Sequence, residues 1–113
     1  MLIDAHLHLD NRVSQDVFKL TKDLNADLEK SGIDFGLVLH LDIQPWSLEE
    51  LSSALAENNR LFGFANIHPF DKNCNDQLRN AVENLGYKGL KLHPRLQKYD
   101  IRDSRVSDLI SFA

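Results

Sequence analysis

The first ten residues, MLIDAHLHLD, place two histidines two positions apart inside an apolar segment. Side chains alternate between the two faces of a strand, so Asp4, His6 and His8 are expected to share one face. Neutral imidazole is the commonest protein ligand for metal ions, and two imidazoles from one strand can reach the same ion. The pattern predicts a zinc-class metal site, or else the solvated polar face of a half-exposed strand.

Three further histidines, His40, His68 and His93, stand in the segments LHLD, NIHP and KLHP. All five histidines fall at or near the carboxyl ends of predicted strands, the edge where parallel α/β proteins form their ligand sites. We expect the three to surround one mouth and to contact substrate or support the metal ligands. A strand-end histidine bonded to a loop carbonyl is the alternative for His40, and the proline after His68 and His93 favours extended backbone by itself.

Two charged residues belong to the same predicted strand faces. Lys91 shares a face with His93, and burying a lysine is costly unless it is paired or modified. Lys91 is therefore expected to contact substrate or support the site, or else to reach bulk solvent. Asp4 could orient one of the neighbouring imidazoles from behind, or could be solvated. None of the 113 residues is expected to be catalytic.

A strand followed by an amphipathic helix recurs roughly every 28 residues, the spacing of successive βα units. Glycines 32 and 86 are expected to end two helices, and Ser47 with Glu50 forms a capping box at the start of another. The repeat predicts an α/β fold with four parallel strands in the order 1-2-3-4, alternating with helices. The strands are expected within residues 2–9, 33–41, 61–68 and 88–93, and the last helix is expected to begin near residue 103 or 104.

The composition is that of an ordinary globular domain: 113 residues, 42% hydrophobic and 27% charged. A net charge of -4 gives no general attraction to nucleic acid or anionic lipid. The polar start of the chain does not fit a signal peptide, and the single Cys74 permits no internal disulfide. We expect a cytoplasmic protein that acts on a small molecule, with neither a nucleic acid nor a membrane as partner.

Two segments, IDAHLHLD and GYKGLKLHPRLQKYD, resemble the amidohydrolase superfamily, specifically its amidohydrolase-related group of metal-dependent hydrolases and decarboxylases. The second segment makes the resemblance considerably more specific. Members of this family are (β/α)8 TIM barrels, which need about 250 residues. The resemblance implies that residues 1–113 are a single partial domain, the N-terminal half of such a barrel, ending within its fourth helix.

The resemblance also implies that His6 and His8 bind a divalent metal, with zinc as the expected ion. The family's further ligands, histidines after strands five and six and an aspartate at strand eight, would lie beyond Ala113. Some branches carbamylate a lysine at the end of strand four. The KLHP context of Lys91 is more similar to the mononuclear branch, so Lys91 is not expected to be a ligand.

Three functions remain open at the level of the sequence. The first is hydrolysis of a C–O or C–N bond in a lactone, ester or amide by a metal-activated water, with this segment alone expected to be inactive. The second is nonoxidative decarboxylation by the same metal and fold. The third is a noncatalytic half-barrel that forms a homo-oligomer through the open edges of its first and fourth strands, because unpaired strand edges invite association.

Overall fold

The computed structural model describes all 113 residues, and its four strands form one parallel sheet in the order β1-β2-β3-β4. This confirms the predicted α/β fold and strand order. Each strand is shorter than the segment in which it was expected. The strands are β1 (Ile3–Leu7), β2 (Phe35–Leu39), β3 (Leu61–Asn66) and β4 (Gly89–Lys91).

Five helices alternate with or follow the strands: α1 (Val17–Lys30), α2 (Leu48–Ala56), α3 (Cys74–Glu83), α4 (Pro94–Gln97) and α5 (Ser104–Phe112). Four of them were expected from the sequence. The short helix α4 was not, because four residues are too few to show helical periodicity. Its start is nevertheless well defined, since Pro94 occupies the first turn and the His93 side chain accepts the Leu96 N–H.

Local chemistry fixes the ends of the longer helices. The Asp16 carboxylate accepts the N–H groups of Phe18 and Lys19 at the start of α1, and the Ser47 hydroxyl accepts the Glu50 N–H at the start of α2. Gly32 follows α1 with φ at +70°, a backbone conformation that favours glycine. The capping residue and the glycine stop predicted from the sequence are therefore present.

The hydrophobic core lies between the helices and one face of the sheet. Gly63 shows how closely the layers approach: a Cβ atom there would lie 2.8 Å from Leu55 and 3.0 Å from Tyr87. Helices α1 and α2 contact each other and the strands beneath them. The largest fully buried side chains of this layer are Val38, Leu51, Ile67, Val106 and Leu109.

The opposite face of the sheet has no covering layer. Ile3 is 45% exposed and Phe35 37% exposed, and the Phe35 and Phe62 rings lie edge to face with centroids 6.4 Å apart. Phe64 lies across Gly89, where a Cβ atom would come within 2.7 Å of the ring. This apolar surface, made by Ile3, Phe35, Phe62 and Phe64, is called the open face below.

An irregularity interrupts strand β1. Asp4 pairs with Gly36, but Leu7 pairs with Val38, so the register shifts between Asp4 and Leu7. Such a bulge adds one residue to a strand and breaks the strict alternation of its side chains. The prediction that Asp4 shares a face with His6 and His8 assumed unbroken alternation through this segment.

None of the helices combines the length and the apolar character that crossing a membrane requires.

Candidate metal centre

His6 and His8 meet at the carboxyl end of β1. Their Nε2 atoms lie 3.0 Å apart and their rings are nearly perpendicular, at 79°. Both side chains are exposed, whereas Leu7 between them packs against the core. The two imidazoles therefore lie on the side of β1 away from the helices, with their outer nitrogens converging on one point.

The hydrogen bond of His8 determines which of its nitrogens is free. Its Nδ1 lies 3.0 Å from the Leu39 carbonyl oxygen, which can only accept, so Nδ1 carries the proton. In the neutral ring Nε2 then presents a lone pair, to which His6 Nε2–H can donate. Metal-binding histidines typically donate their second N–H to a carbonyl in this way, which holds the ring in place.

The distance between these nitrogens is close to that of two ligands on one metal ion. Zinc–nitrogen bonds of about 2.0–2.1 Å at a tetrahedral angle separate two ligand atoms by about 3.4 Å. An increase of a few tenths of an ångström in the His6–His8 spacing would reach that value. The pair therefore fits a zinc-class ion as two of its ligands.

No group of three or more histidine, cysteine, aspartate or glutamate side chains lies close enough to hold an ion. Catalytic zinc sites generally have three protein ligands. A single copy of the chain therefore brings two potential ligands together, one fewer than such a site generally has.

Asp4 does not contact either imidazole ring through a hydrogen bond. Its Oδ1 accepts the backbone N–H of His6 at 3.1 Å. The expectation that Asp4 orients an imidazole from behind is therefore wrong, because the bulge in β1 directs the carboxylate to the backbone of its own strand. The position of the ring is set by the Leu39 carbonyl instead.

His40 does not line the mouth, which corrects the prediction for this residue. It is only 5% exposed, its Nδ1 accepts the Asn66 N–H, and its backbone N–H donates to Phe64. Burial lowers the pKa of His40, and nearby Asp42 partly opposes this effect. His40 follows Leu39, which pairs with Phe64 of the open face, so alternation directs it to the helix-covered side.

His68 lies at the carboxyl edge with both ring nitrogens engaged. Nδ1 accepts the Phe70 N–H, and Nε2 lies 3.2 Å from the Gln97 carbonyl oxygen, to which it donates. Its ring packs against Phe70 and Tyr99, with centroids 5.2 and 5.3 Å away. This environment ties the β3–α3 loop to helix α4 and leaves His68 no free nitrogen for a metal ion.

Lys91 and His93 lie at the end of β4 and are half-buried. Leu90 and Leu92 pack against the core, so alternation directs Lys91 and His93 towards the open face. Lys91 forms no ion pair. His93 Nδ1 accepts the Leu96 N–H, which leaves Nε2 as the nitrogen that can meet a ligand.

A polar network at the same edge was not anticipated from the sequence. Asn66 is 4% exposed, its Oδ1 accepts the Asp42 N–H, and its Nδ2 donates to the Lys91 carbonyl and to Gln97 Oε1. Gln97 in turn donates to Asp42 Oδ2 at 2.8 Å. The signal in the sequence that points to such a network is Asn66 itself, a polar residue at the end of an otherwise apolar strand.

The fold is similar to that of the probable 2-pyrone-4,6-dicarboxylic acid hydrolase of Acinetobacter baumannii, crystallised with citric acid bound. The TM-score is 0.66 at 13% sequence identity, and the match covers 98% of this chain. It covers 45% of that chain, so the present chain spans less than half of the hydrolase's length. No protein-family model and no curated protein matches the sequence. The chain therefore has the fold of about half of that hydrolase.

Proposed function

We propose that residues 1–113 form the metal-binding half of a metal-dependent hydrolase that cleaves a C–O or C–N bond. The observation that carries this proposal is the convergence of His6 and His8, with Nε2 atoms 3.0 Å apart and His8 Nδ1 held by the Leu39 carbonyl. A zinc ion is the cofactor that such an imidazole pair favours. Its other protein ligands come from outside a single copy of these residues.

The chemistry that a bound zinc-class ion supplies is acidification of a water molecule and polarisation of a substrate carbonyl. His8 contributes a fixed ring, because the bond from Nδ1 to Leu39 determines both its tautomer and its direction. His6 completes the pair from the same strand. The carboxyl end of the sheet is where substrate-binding loops converge in a TIM barrel, so a small molecule would enter there.

An ester or lactone that carries a carboxylate is the substrate class that the site favours. Lys91 is a half-buried cation without an ion pair, and His93 offers Nε2 on the same side of the strand. Both groups can attract a substrate carboxylate. The structurally similar hydrolase is named for a pyrone dicarboxylic acid, which is a cyclic ester with two carboxylates, and this supports hydrolysis rather than decarboxylation.

The test is zinc titration of the metal-free 113-residue chain by calorimetry. We expect His6→Ala and His8→Ala each to weaken zinc binding by about 10-fold or more, because each removes one of two convergent ligands. His68→Ala serves as the matched control, since both nitrogens of that ring are already engaged and its loss should leave zinc affinity unchanged.

Equal zinc affinities for the wild-type chain and the His6→Ala, His8→Ala double variant would contradict the proposal. We also expect no turnover of simple lactones by this chain alone, because a third ligand and a general base are missing. General-base assistance by itself contributes about 10² to 10⁴ in rate.

A further inference from the structure

Both ends of the sheet are open. Strand β1 pairs only with β2, and β4 pairs only with β3, so each has one edge of unpaired backbone groups. Neither strand contains a proline, and each carries one acidic or basic residue, Asp4 in β1 and Lys91 in β4. Natural edge strands are usually protected by prolines, several charges or a covering segment. These two edges are open to pairing.

Apolar side chains flank both open edges. Beside β1, Leu2 is 56% exposed, and Val13, which lines a groove with Leu9 and Leu24, is 74% exposed. Beside β4, a groove of about 300 Å³ is lined mainly by apolar residues of α3, β4 and α5, among them Leu78, Leu90 and Phe112. Together with the open face, these surfaces place exposed apolar side chains at both edges and on one face of the sheet, as interaction sites do.

We propose that two copies of this chain close into one eight-stranded barrel, with β4 of each copy pairing in parallel with β1 of the other. Three observations select a second copy as the occupant. Four strands are half of the eight that close a TIM barrel. The matched barrel protein is about twice as long as this chain, which covers 45% of it. A two-fold rotation about the barrel axis also satisfies both edges at once, in the parallel sense the sheet already uses.

Closure changes the metal centre, and this part of the inference rests on the proposed function. In a two-fold ring, β1 of the second copy takes the fifth position, directly opposite β1 of the first. The His6 and His8 pair of each copy then lies at the same end of the barrel, across the mouth from the other pair. Four imidazoles from two chains satisfy the ligand count that two imidazoles do not.

Sedimentation equilibrium of the full chain in EDTA tests the assembly independently of metal. We expect a mass twice the chain mass of 12.9 kDa. A mass of one chain at every concentration would overturn the inference. A mass that grows beyond two copies would overturn it as well, since open-ended pairing does not close a ring.

Two variants on the open face show whether it is buried by assembly. Phe35→Asp and Ile3→Asp alter side chains that are already partly exposed in a single copy, so folding of the copy should survive. In the closed barrel each would place a carboxylate in an apolar interior, and we expect the dissociation constant to rise about 100-fold or more. Phe18→Asp, at an exposed position of α1 that faces Glu57 and Asn58 on the outer helical surface, is the control and should keep the two-copy mass.

Far-UV circular dichroism shows whether Phe35→Asp and Ile3→Asp are folded. Each variant that is folded is then used for the mass measurement. Persistence of the two-copy mass in a folded Phe35→Asp or Ile3→Asp chain would overturn the inference. A folded one-chain species that Phe18→Asp does not reproduce supports it.

Zinc content separates the assembly from the proposed function. We expect one zinc ion per two chains after equilibrium dialysis, lost in the His6→Ala, His8→Ala double variant. A two-copy mass without zinc binding would leave the barrel intact and remove the proposed function. One zinc ion per chain in a one-copy species would overturn the assembly and leave the proposed function in place.

Discussion

His8 and His40 show how a hydrogen-bond partner decides the role of a histidine. The Leu39 carbonyl accepts from Nδ1 of His8 and leaves an exposed nitrogen lone pair. The Asn66 N–H donates to Nδ1 of His40, whose ring is buried. The first arrangement is the one that the proposed metal ligand requires, and the second connects two strands.

The burial of His40 makes stability depend on pH. Its pKa is lowered in the folded state by loss of solvation, so below the ordinary value of 6.5 the unfolded chain binds more protons than the folded chain. The free energy of unfolding contributed by the neutral ring is therefore fully present above about pH 6.5 and falls as the pH drops towards the folded pKa. We expect His40→Asn, whose side-chain oxygen can accept the Asn66 N–H, to lose less stability between pH 7.5 and 5.5 than the wild type.

Urea denaturation at several pH values measures this difference. The slopes of unfolding free energy against pH should diverge between the two proteins below about pH 6.5. Identical slopes would show that the His40 ring is not kept neutral by burial.

At the level of single residues, composition and alternation could predict the positions of His6 and His8 but not that of His40. All five histidines lie near strand ends, but this position in the sequence does not show which face of the sheet each one occupies. Which face a strand-end residue occupies depends on the register of its strand, and β2 directs Gly36, Val38 and His40 towards the helices. The bulge that redirects Asp4 leaves no distinctive signal in the sequence.

Among the elements, Asn66 joins parts of the chain that are distant in sequence. Its side chain connects β3 to the loop after β2, to the end of β4 and to helix α4. Because Asn66 is 4% exposed, these bonds are formed largely away from water. The network fixes the loops that surround the mouth of the half-barrel.

Removal of this side chain should be costly. We expect Asn66→Ala to lower the free energy of unfolding by about 2 kcal/mol or more, because each buried partner left unsatisfied costs about 1–3 kcal/mol. Asn80→Ala is the control, since Asn80 is exposed on α3 and its substitution should change stability by about 0.5 kcal/mol or less. Urea denaturation of both variants provides the comparison, and similar losses would show that the network does not stabilise the loops.

The longer elements were predictable because apolar periodicity and end signals agree. Helix α2 combines the Ser47 cap with buried Leu51 and Leu55, and α1 ends just before Gly32. Helix α4 and the Asn66 network depend on contacts between distant segments, for which a single sequence carries no periodic pattern. Val82 shows the limit within a helix: it stands at helical spacing from buried Leu78, yet it is 47% exposed.

At the scale of the whole molecule, the two faces of the half-barrel sheet differ in whether helices cover them. Helices cover the outer face, whereas the open face presents Phe35 and Ile3 to solvent. In a complete TIM barrel that inner surface is filled by side chains from all eight strands. The exposed apolar face is the feature that the proposed closure of two copies would bury.

X-ray absorption at the zinc edge tests most directly whether His6 and His8 bind a metal ion together. For the zinc-loaded chain we expect a shell of imidazole nitrogens at about 2.0–2.1 Å, with the outer scattering typical of imidazole rings. That imidazole signal should disappear in the His6→Ala, His8→Ala double variant and remain in His68→Ala. A shell of oxygen atoms alone in the wild-type chain, or an imidazole signal that survives in the double variant, would contradict a metal site built on this pair.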